Sequence, residues 1–164
     1  RTFRYNKSMK QRIIPNPEPC TGCLSCVMAC AQHKSATGNP ECAGLHVKLD
    51  PFNGTHQIVV CRQCPVANCA RACPRDAIVF KESTGAWVID LSRCTACRAC
   101  VDACPFNAML WNETDGIPVK CDLCDGESRC IIACHFGILH LAESQGDVTM
   151  GIPEEDQDPA LGRE

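Results

Sequence analysis

No stretch of this chain approaches the roughly 18 consecutive apolar residues that a membrane-spanning helix requires. Residues 1–14 are basic, but their only apolar pair is Ile13 and Ile14, and no Arg-Arg pair is present. No secretory or twin-arginine signal is therefore legible there. A phosphate-cradling glycine loop and a dinucleotide fingerprint are both missing, and no His/carboxylate pair can be tied to a nucleophile. The sequence thus offers no catalytic constellation. Apolar side chains are also scarce once cysteine is set aside, because the 45% hydrophobic share counts 17 cysteines and many alanines. A chain of 164 residues, the size of one or two small domains, has a thin core on that basis. Metal binding is the natural supplement, since such sites fold with their metal. The metal-free chain is expected to fold poorly.

What the chain has in excess is cysteine, and its spacing is regular. Cys94, Cys97, Cys100 and Cys104, followed by Pro105, read C-x2-C-x2-C-x3-C-P, the run that binds [4Fe–4S] clusters in bacterial ferredoxins. Three further groups repeat it. Cys20, Cys23, Cys26 and Cys30 have gaps of two, two and three residues. Cys61, Cys64, Cys69 and Cys73, followed by Pro74, have gaps of two, four and three. Cys121, Cys124, Cys130 and Cys134 have gaps of two, five and three. These groups use every cysteine except Cys42, which falls in a loop with glycine and proline nearby and reads as a small buried thiol.

Three thiols on a tight loop can converge on one cubane. The fourth lies at i+4 from the third, one helical turn on, and in two-cluster proteins it binds the other cluster. An exchange of fourth cysteines between motifs is the expected arrangement, although adjacency alone would put all four on one site. Zinc is the competing metal, the last motif being its best candidate, but structural zinc sites usually pair two C-x2-C units across a longer loop. The odd cysteine count and the lack of a secretory signal oppose a disulfide framework, so a reducing cytoplasm is the expected location. The formal charge of −3 counts thiols as neutral. Four loaded sites, each 2−, bring the chain to about −11, which speaks against nucleic-acid binding.

Residues 11–14, 45–49, 57–60, 77–80, 87–89, 108–111 and 138–141 are strand-like, with turns at Asn53-Gly54, near Gly85 and near Gly116. The repeating unit is strand, cysteine loop, helical turn, strand. Arg62, Arg71, Arg75, Arg93, Arg98, Lys120 and Arg129 lie in or beside the motifs, where cations offset the cluster charge. Trp87, Trp111, Phe106 and Phe136 are expected to pack over the clusters, and His135 takes the slot that proline fills after Cys73 and Cys104. The ends differ in charge. Arg1, Arg4, Lys7, Lys10 and Arg12 mark the start, whereas residues 143–164 hold seven acids and one base. That contrast suggests docking to other subunits or head-to-tail self-association.

Over about residues 11–142, the four motifs make the chain similar to the four-cluster electron-transfer subunits of molybdenum and tungsten oxidoreductases, hydrogenase complexes and carbon monoxide dehydrogenases. Among these it most resembles the small subunit of tungsten aldehyde oxidoreductases. The resemblance implies an α+β fold of two bacterial-ferredoxin-like modules with little regular secondary structure. Motifs one and four form an outer module over 20–60 and 106–142, and motifs two and three an inner module over 61–105. A basic arm and leading strand span 1–19, and an acidic tail spans 143–164.

The same resemblance implies four ligand sets. These are Cys20, Cys23, Cys26 with Cys134; Cys121, Cys124, Cys130 with Cys30; Cys61, Cys64, Cys69 with Cys104; and Cys94, Cys97, Cys100 with Cys73. It further implies four [4Fe–4S] clusters that relay single electrons. The partner is a catalytic oxidoreductase subunit, with a flavin or electron-acceptor subunit as a further candidate, and the chain has no catalytic site of its own. A free polyferredoxin and an iron–sulfur redox sensor are the alternatives. A sensor needs a labile cluster and an effector surface, and the sequence displays neither.

Overall fold

A computed structural model of the chain describes residues 11–143. The basic segment 1–10 and the acidic segment 144–164 lie outside the described residues. Among the described residues, eight short strands form four separate antiparallel pairs, joined by cysteine loops and four short helices. Strand β1 (Gln11–Pro15) pairs with β8 (Leu139–Glu143), with Ile13 opposite Leu141 and Pro15 opposite Leu139. The remaining pairs are hairpins: β2 (Leu45–Leu49) with β3 (His56–Val60), β4 (Ile78–Lys81) with β5 (Ala86–Ile89), and β6 (Leu110–Asn112) with β7 (Ile117–Val119).

Local chemistry explains the hairpins. The Asp50 carboxylate accepts the Phe52 and Asn53 amides at 3.1 and 3.0 Å, an Asx turn that reverses the chain between β2 and β3. Gly54 completes that turn at φ +67°, a conformation that costs a side chain about 1 kcal/mol. The expected unit of strand, cysteine loop, helical turn and strand recurs as β3, α2 (Asn68–Ala72), β4; as β5, α3 (Ala99–Asp102), β6; and as β7, α4 (Arg129–Ile132), β8. The first copy differs. The helix α1 (Ser25–Lys34) runs for 10 residues and leads through a 3-10 turn (Pro40–Cys42) into β2.

Two apolar clusters hold these pieces together. One joins Ile13, Val27, Ala31, Leu45, Val60, Leu123, Ile138 and Leu139 around Cys26, Cys30, Cys121 and Cys130. The other joins Ala67, Ala70, Ile78 and Met109 around Cys100, with Cys69 and Cys104 against its edge. Accordingly α1 packs on α4, and α2 on α3. Because β1 pairs with β8, the first and last cysteine loops start and end at one small sheet. No described helix is long and apolar enough to cross a membrane.

Candidate metal centres

Each cysteine loop is shaped by backbone that ordinary residues avoid. The residue before the second cysteine of each motif has positive φ: Gly22 at +69°, Gln63 at +49°, Ala96 at +54° and Leu123 at +63°. Three of the four are not glycine, and each such residue costs roughly 1–2 kcal/mol in that region. Left-handed residues also open three helices, at Leu24, Arg98 and Ser128, two positions before the third cysteine. Strain repeated at one register persists only where something over-determines it. Here the left-handed residues bend each loop tightly between its first two cysteines, while the third sits in a helical turn. The Gly22 in Cys20-Thr21-Gly22-Cys23 was the sequence signal for this slot; Gln63, Ala96 and Leu123 carried none.

Cys73, Cys104 and Cys134 follow their helices, whereas Cys30 lies within α1, and three of these four thiols receive an amide. The Ala77 N–H donates to Cys73 Sγ at 3.3 Å, Ala108 N–H to Cys104 Sγ at 3.4 Å, and Gly44 N–H to Cys30 Sγ at 3.2 Å. Ala96 N–H donates to Cys94 Sγ at 3.4 Å. Amides aimed at sulfur stabilise thiolate charge and tune the potential of a cluster bound there.

The thiols are brought together across motifs. A small cavity is lined by Cys94, Cys97 and Cys100 of the third motif and by Cys73 of the second, with Thr95, Arg98 and Ile78 among its other walls. Burial pushes Cys100 up to about 11, helped by the charges of Cys94, Cys73 and Cys97. Cys64 is raised by burial and then by Cys61 and Cys104. Cys69 is pushed up to about 11, by burial first, with Cys61 and Cys104 adding to it and Lys120 opposing.

In the other core, Cys26 is raised by burial, with Cys134 and Cys23 as its thiol neighbours. Cys30 is lowered, chiefly by a hydrogen bond with Cys124, and Cys124 is raised by the same bond. Burial drives Cys121 and Cys130 up to about 12. Cys23, in contrast, is exposed and lowered by its hydrogen bond with Ser25. Cys42 stands apart from these groups. It is buried and meets the Asn112 side-chain amide at 3.3 Å.

Among the other predicted neighbours, Arg98 lies over the Trp111 ring at 4.3 Å and pairs with Glu113 at 2.8 Å. Arg62 lies over Phe106 at 4.0 Å. Trp87 packs edge-on against Phe80 and donates its indole N–H to the Cys64 carbonyl at 3.0 Å. Phe136 and His135 are exposed. Lys120, read from the sequence as one of several cations beside the motifs, is buried. Two further residues gave no sequence signal. Gln63 is fully buried and donates to the Cys121 carbonyl at 2.9 Å. Gly44 meets the backbone of Lys120 and Cys121 so closely that a Cβ would fall 2.6 Å from Lys120 carbonyl atoms.

Comparison with known proteins decides the family. The 4Fe-4S dicluster domain matches residues 55–145, more than half of the chain, and a 4Fe-4S binding domain matches residues 17–33. The chain belongs to the 4Fe-4S ferredoxin family. This ferredoxin is 36% identical over 123 residues to the aliphatic sulfonate oxidoreductase polyferredoxin-like subunit of Pyrococcus furiosus, covering 75% of this chain and 70% of that one. It is 34% identical over 152 residues to the electron transport protein HydN of Escherichia coli, covering 77% and 84%. It is also 36% identical over 129 residues to a tetrathionate reductase subunit of Archaeoglobus fulgidus, covering 76% and 60%. A chain of the active-site complex BamBC of benzoyl coenzyme A reductase superposes with a TM-score of 0.51 at 22% identity, covering 86% of this chain and 83% of that one. At that identity the likeness concerns the fold alone.

The ferredoxin is thus an iron–sulfur electron-transfer protein of mixed α/β content, and its residues fit the cofactor. The soft thiolate donors suit iron–sulfur clusters, the inward amides suit bound anions, and the buried Ser128 hydroxyl beside Cys130 has no hydrogen-bond partner among the described residues.

Proposed function

We propose that this ferredoxin is the electron-relay subunit of an oxidoreductase complex, holding four [4Fe–4S] clusters through sixteen cysteines. Bound clusters supply the one-electron chemistry. The ligand sets follow the nested pattern: Cys20, Cys23, Cys26 with Cys134; Cys121, Cys124, Cys130 with Cys30; Cys61, Cys64, Cys69 with Cys104; Cys94, Cys97, Cys100 with Cys73. The single observation that carries this reading is the cavity shared by Cys73 with the third motif's first three thiols. Cys134 beside Cys26, Cys30 against Cys124, and Cys104 beside Cys64 and Cys69 support it at the other sites.

The outer module covers 20–60 with 106–142 and the inner module 61–105, in keeping with α1 against α4 and α2 against α3. The thiol neighbours also suggest an order for the relay. Cys130 feels Cys26, and Cys121 feels Cys61, so the two outer sites adjoin and the second of them adjoins the inner module. The protein's own work is to space the sites, bury the thiols and aim amides at sulfur.

The partner is proposed as a tungsten or molybdenum catalytic subunit, with a second carrier at the other end of the chain. The names of the relatives, two of which are oxidoreductase or reductase subunits, support a subunit role. Anaerobic purification from the native source tests the proposal by iron analysis and identification of the attached subunit. Four cubanes require about 16 iron per chain. Clearly fewer than about 12, or stoichiometric zinc, would sink the four-cluster reading. A fully loaded chain that purifies alone would favour a free polyferredoxin.

A further inference from the structure

Lys120 is 3% exposed. Its ammonium donates to the Trp87 carbonyl and, at 2.9 Å, to the carbonyl of Cys121. Among the described residues no carboxylate lies within ion-pairing distance of it. A buried ammonium faced only by neutral dipoles is strongly disfavoured unless an anion stands nearby. Gln63 completes the surroundings. Its amide donates to the same Cys121 carbonyl, and its carbonyl accepts the Trp87 N–H at 2.9 Å. Gln63 lies between Cys61 and Cys64, whereas Lys120 immediately precedes Cys121. The ammonium therefore sits where the second cysteine motif meets the fourth. Its charge acts on thiols of both, Cys69 and Cys121, and Cys61 acts on Cys121 across the same contact.

We propose that Lys120 is the positioning cation of the electron crossing between the two modules, raising together the potentials of the clusters at Cys61, Cys64, Cys69, Cys104 and at Cys121, Cys124, Cys130, Cys30. This rests on the nested four-cluster reading. Reduction adds one negative charge to a site that is already dianionic, and a fixed cation in a low-dielectric interior favours that added charge. Lys120 faces both sites, so it favours the electron on either side of the junction and leaves their difference small. The electron that leaves one site enters the other, and no further oxidant or reductant takes part.

The test uses the full chain, with any subunit that accompanies it, under anaerobic conditions. Lys120→Gln and Lys120→Met remove the charge, and Lys120→Arg keeps it. Midpoint potentials are read by electron paramagnetic resonance titration, with sites assigned through Cys104→Ser and Cys30→Ser. The expected result is a drop at the two junction sites of at least tenfold in the reduction equilibrium, 59 mV for one electron. The other two sites should hold, and Lys120→Arg should restore the wild-type values. Unmoved potentials in a fully loaded chain overturn the role of Lys120 alone, as does a shift at the Cys20 or Cys94 sites. If the neutral variants lose iron, loss confined to the junction sites with Lys120→Arg fully loaded supports the proposal. Equal loss in Lys120→Arg marks a structural residue and overturns it. Wild-type iron clearly under about 12 per chain instead sinks the four-cluster reading itself.

Discussion

Replacing Gly44 with alanine tests how tightly the two halves of the outer module are joined. Gly44 does two things at once. Its amide donates to Cys30 Sγ at 3.2 Å, and its α-carbon lies against the backbone where β7 runs into the fourth motif. A Cβ there would fall 2.6 Å from both the carbonyl carbon and oxygen of Lys120 and 2.7 Å from the Cys121 nitrogen. Reaching even a tight 3.4 Å contact moves that backbone by about 0.8 Å. The backbone cannot yield freely, because the Cys121 carbonyl is held by Lys120 and Gln63.

Forcing a methyl group into such a contact costs about 1–3 kcal/mol, and losing the amide–sulfur bond adds about 1 kcal/mol. The reduced freedom of the unfolded alanine chain returns about 0.4–1 kcal/mol. The net loss is about 2 kcal/mol, or a Tm lower by about 4–8 °C for a chain of this size. The assay is anaerobic thermal unfolding, paired with iron release to a chelator. Gly116→Ala is the control, since nothing lies within 4 Å of a Cβ there and only its φ of +65° is strained, worth about 1 kcal/mol. A Gly44→Ala protein within about 0.5 kcal/mol of wild type, the range of ordinary surface changes, would refute the close approach as a constraint.

Two further outcomes follow from the thiols. In Cys30→Ser, the harder ligand should weaken the site of Cys121, Cys124 and Cys130, leaving Cys20, Cys23 and Cys26 with all their partners; Cys134→Ser should do the reverse. A structure of Cys30→Ser with the loss at Cys20–Cys26 would refute the exchange of fourth cysteines. Loading should also be proton-coupled, because Cys69 and Cys100 at about 11, and Cys121 and Cys130 at about 12, hold their protons at neutral pH until iron displaces them. Thiols raised above their unfolded values favour the metal-free fold fully below about pH 9 and lose that contribution as pH climbs through 11 to 12. Iron retention against a chelator should therefore strengthen between about pH 6 and pH 9, and a retention flat across that span would contradict the coupling.

Cysteine spacing by itself determined the local units. An i+4 interval sets the fourth thiol about one helical turn from the third where a helix follows the loop, and α2, α3 and α4 all begin just before a third cysteine. The strand-like stretches and the turn pairs likewise located β2 to β6 to within a residue or two. In β6 the expected stretch 108–111 shifted to Leu110–Asn112, because the Ala108 amide is engaged by Cys104 Sγ.

What sequence alone left open is decided by contacts between residues far apart in the chain. The pairing of β1 with β8, the seating of Cys73 beside Cys94, the burial of Lys120 and Gln63, and the approach of Gly44 to Lys120 join segments that no periodicity relates. Short-range spacing is set by backbone geometry, which acts identically in every copy of the motif. Which copy meets which is set by how two small apolar cores close, and that depends on side chains and chain reversals spread from Ile13 to Leu139.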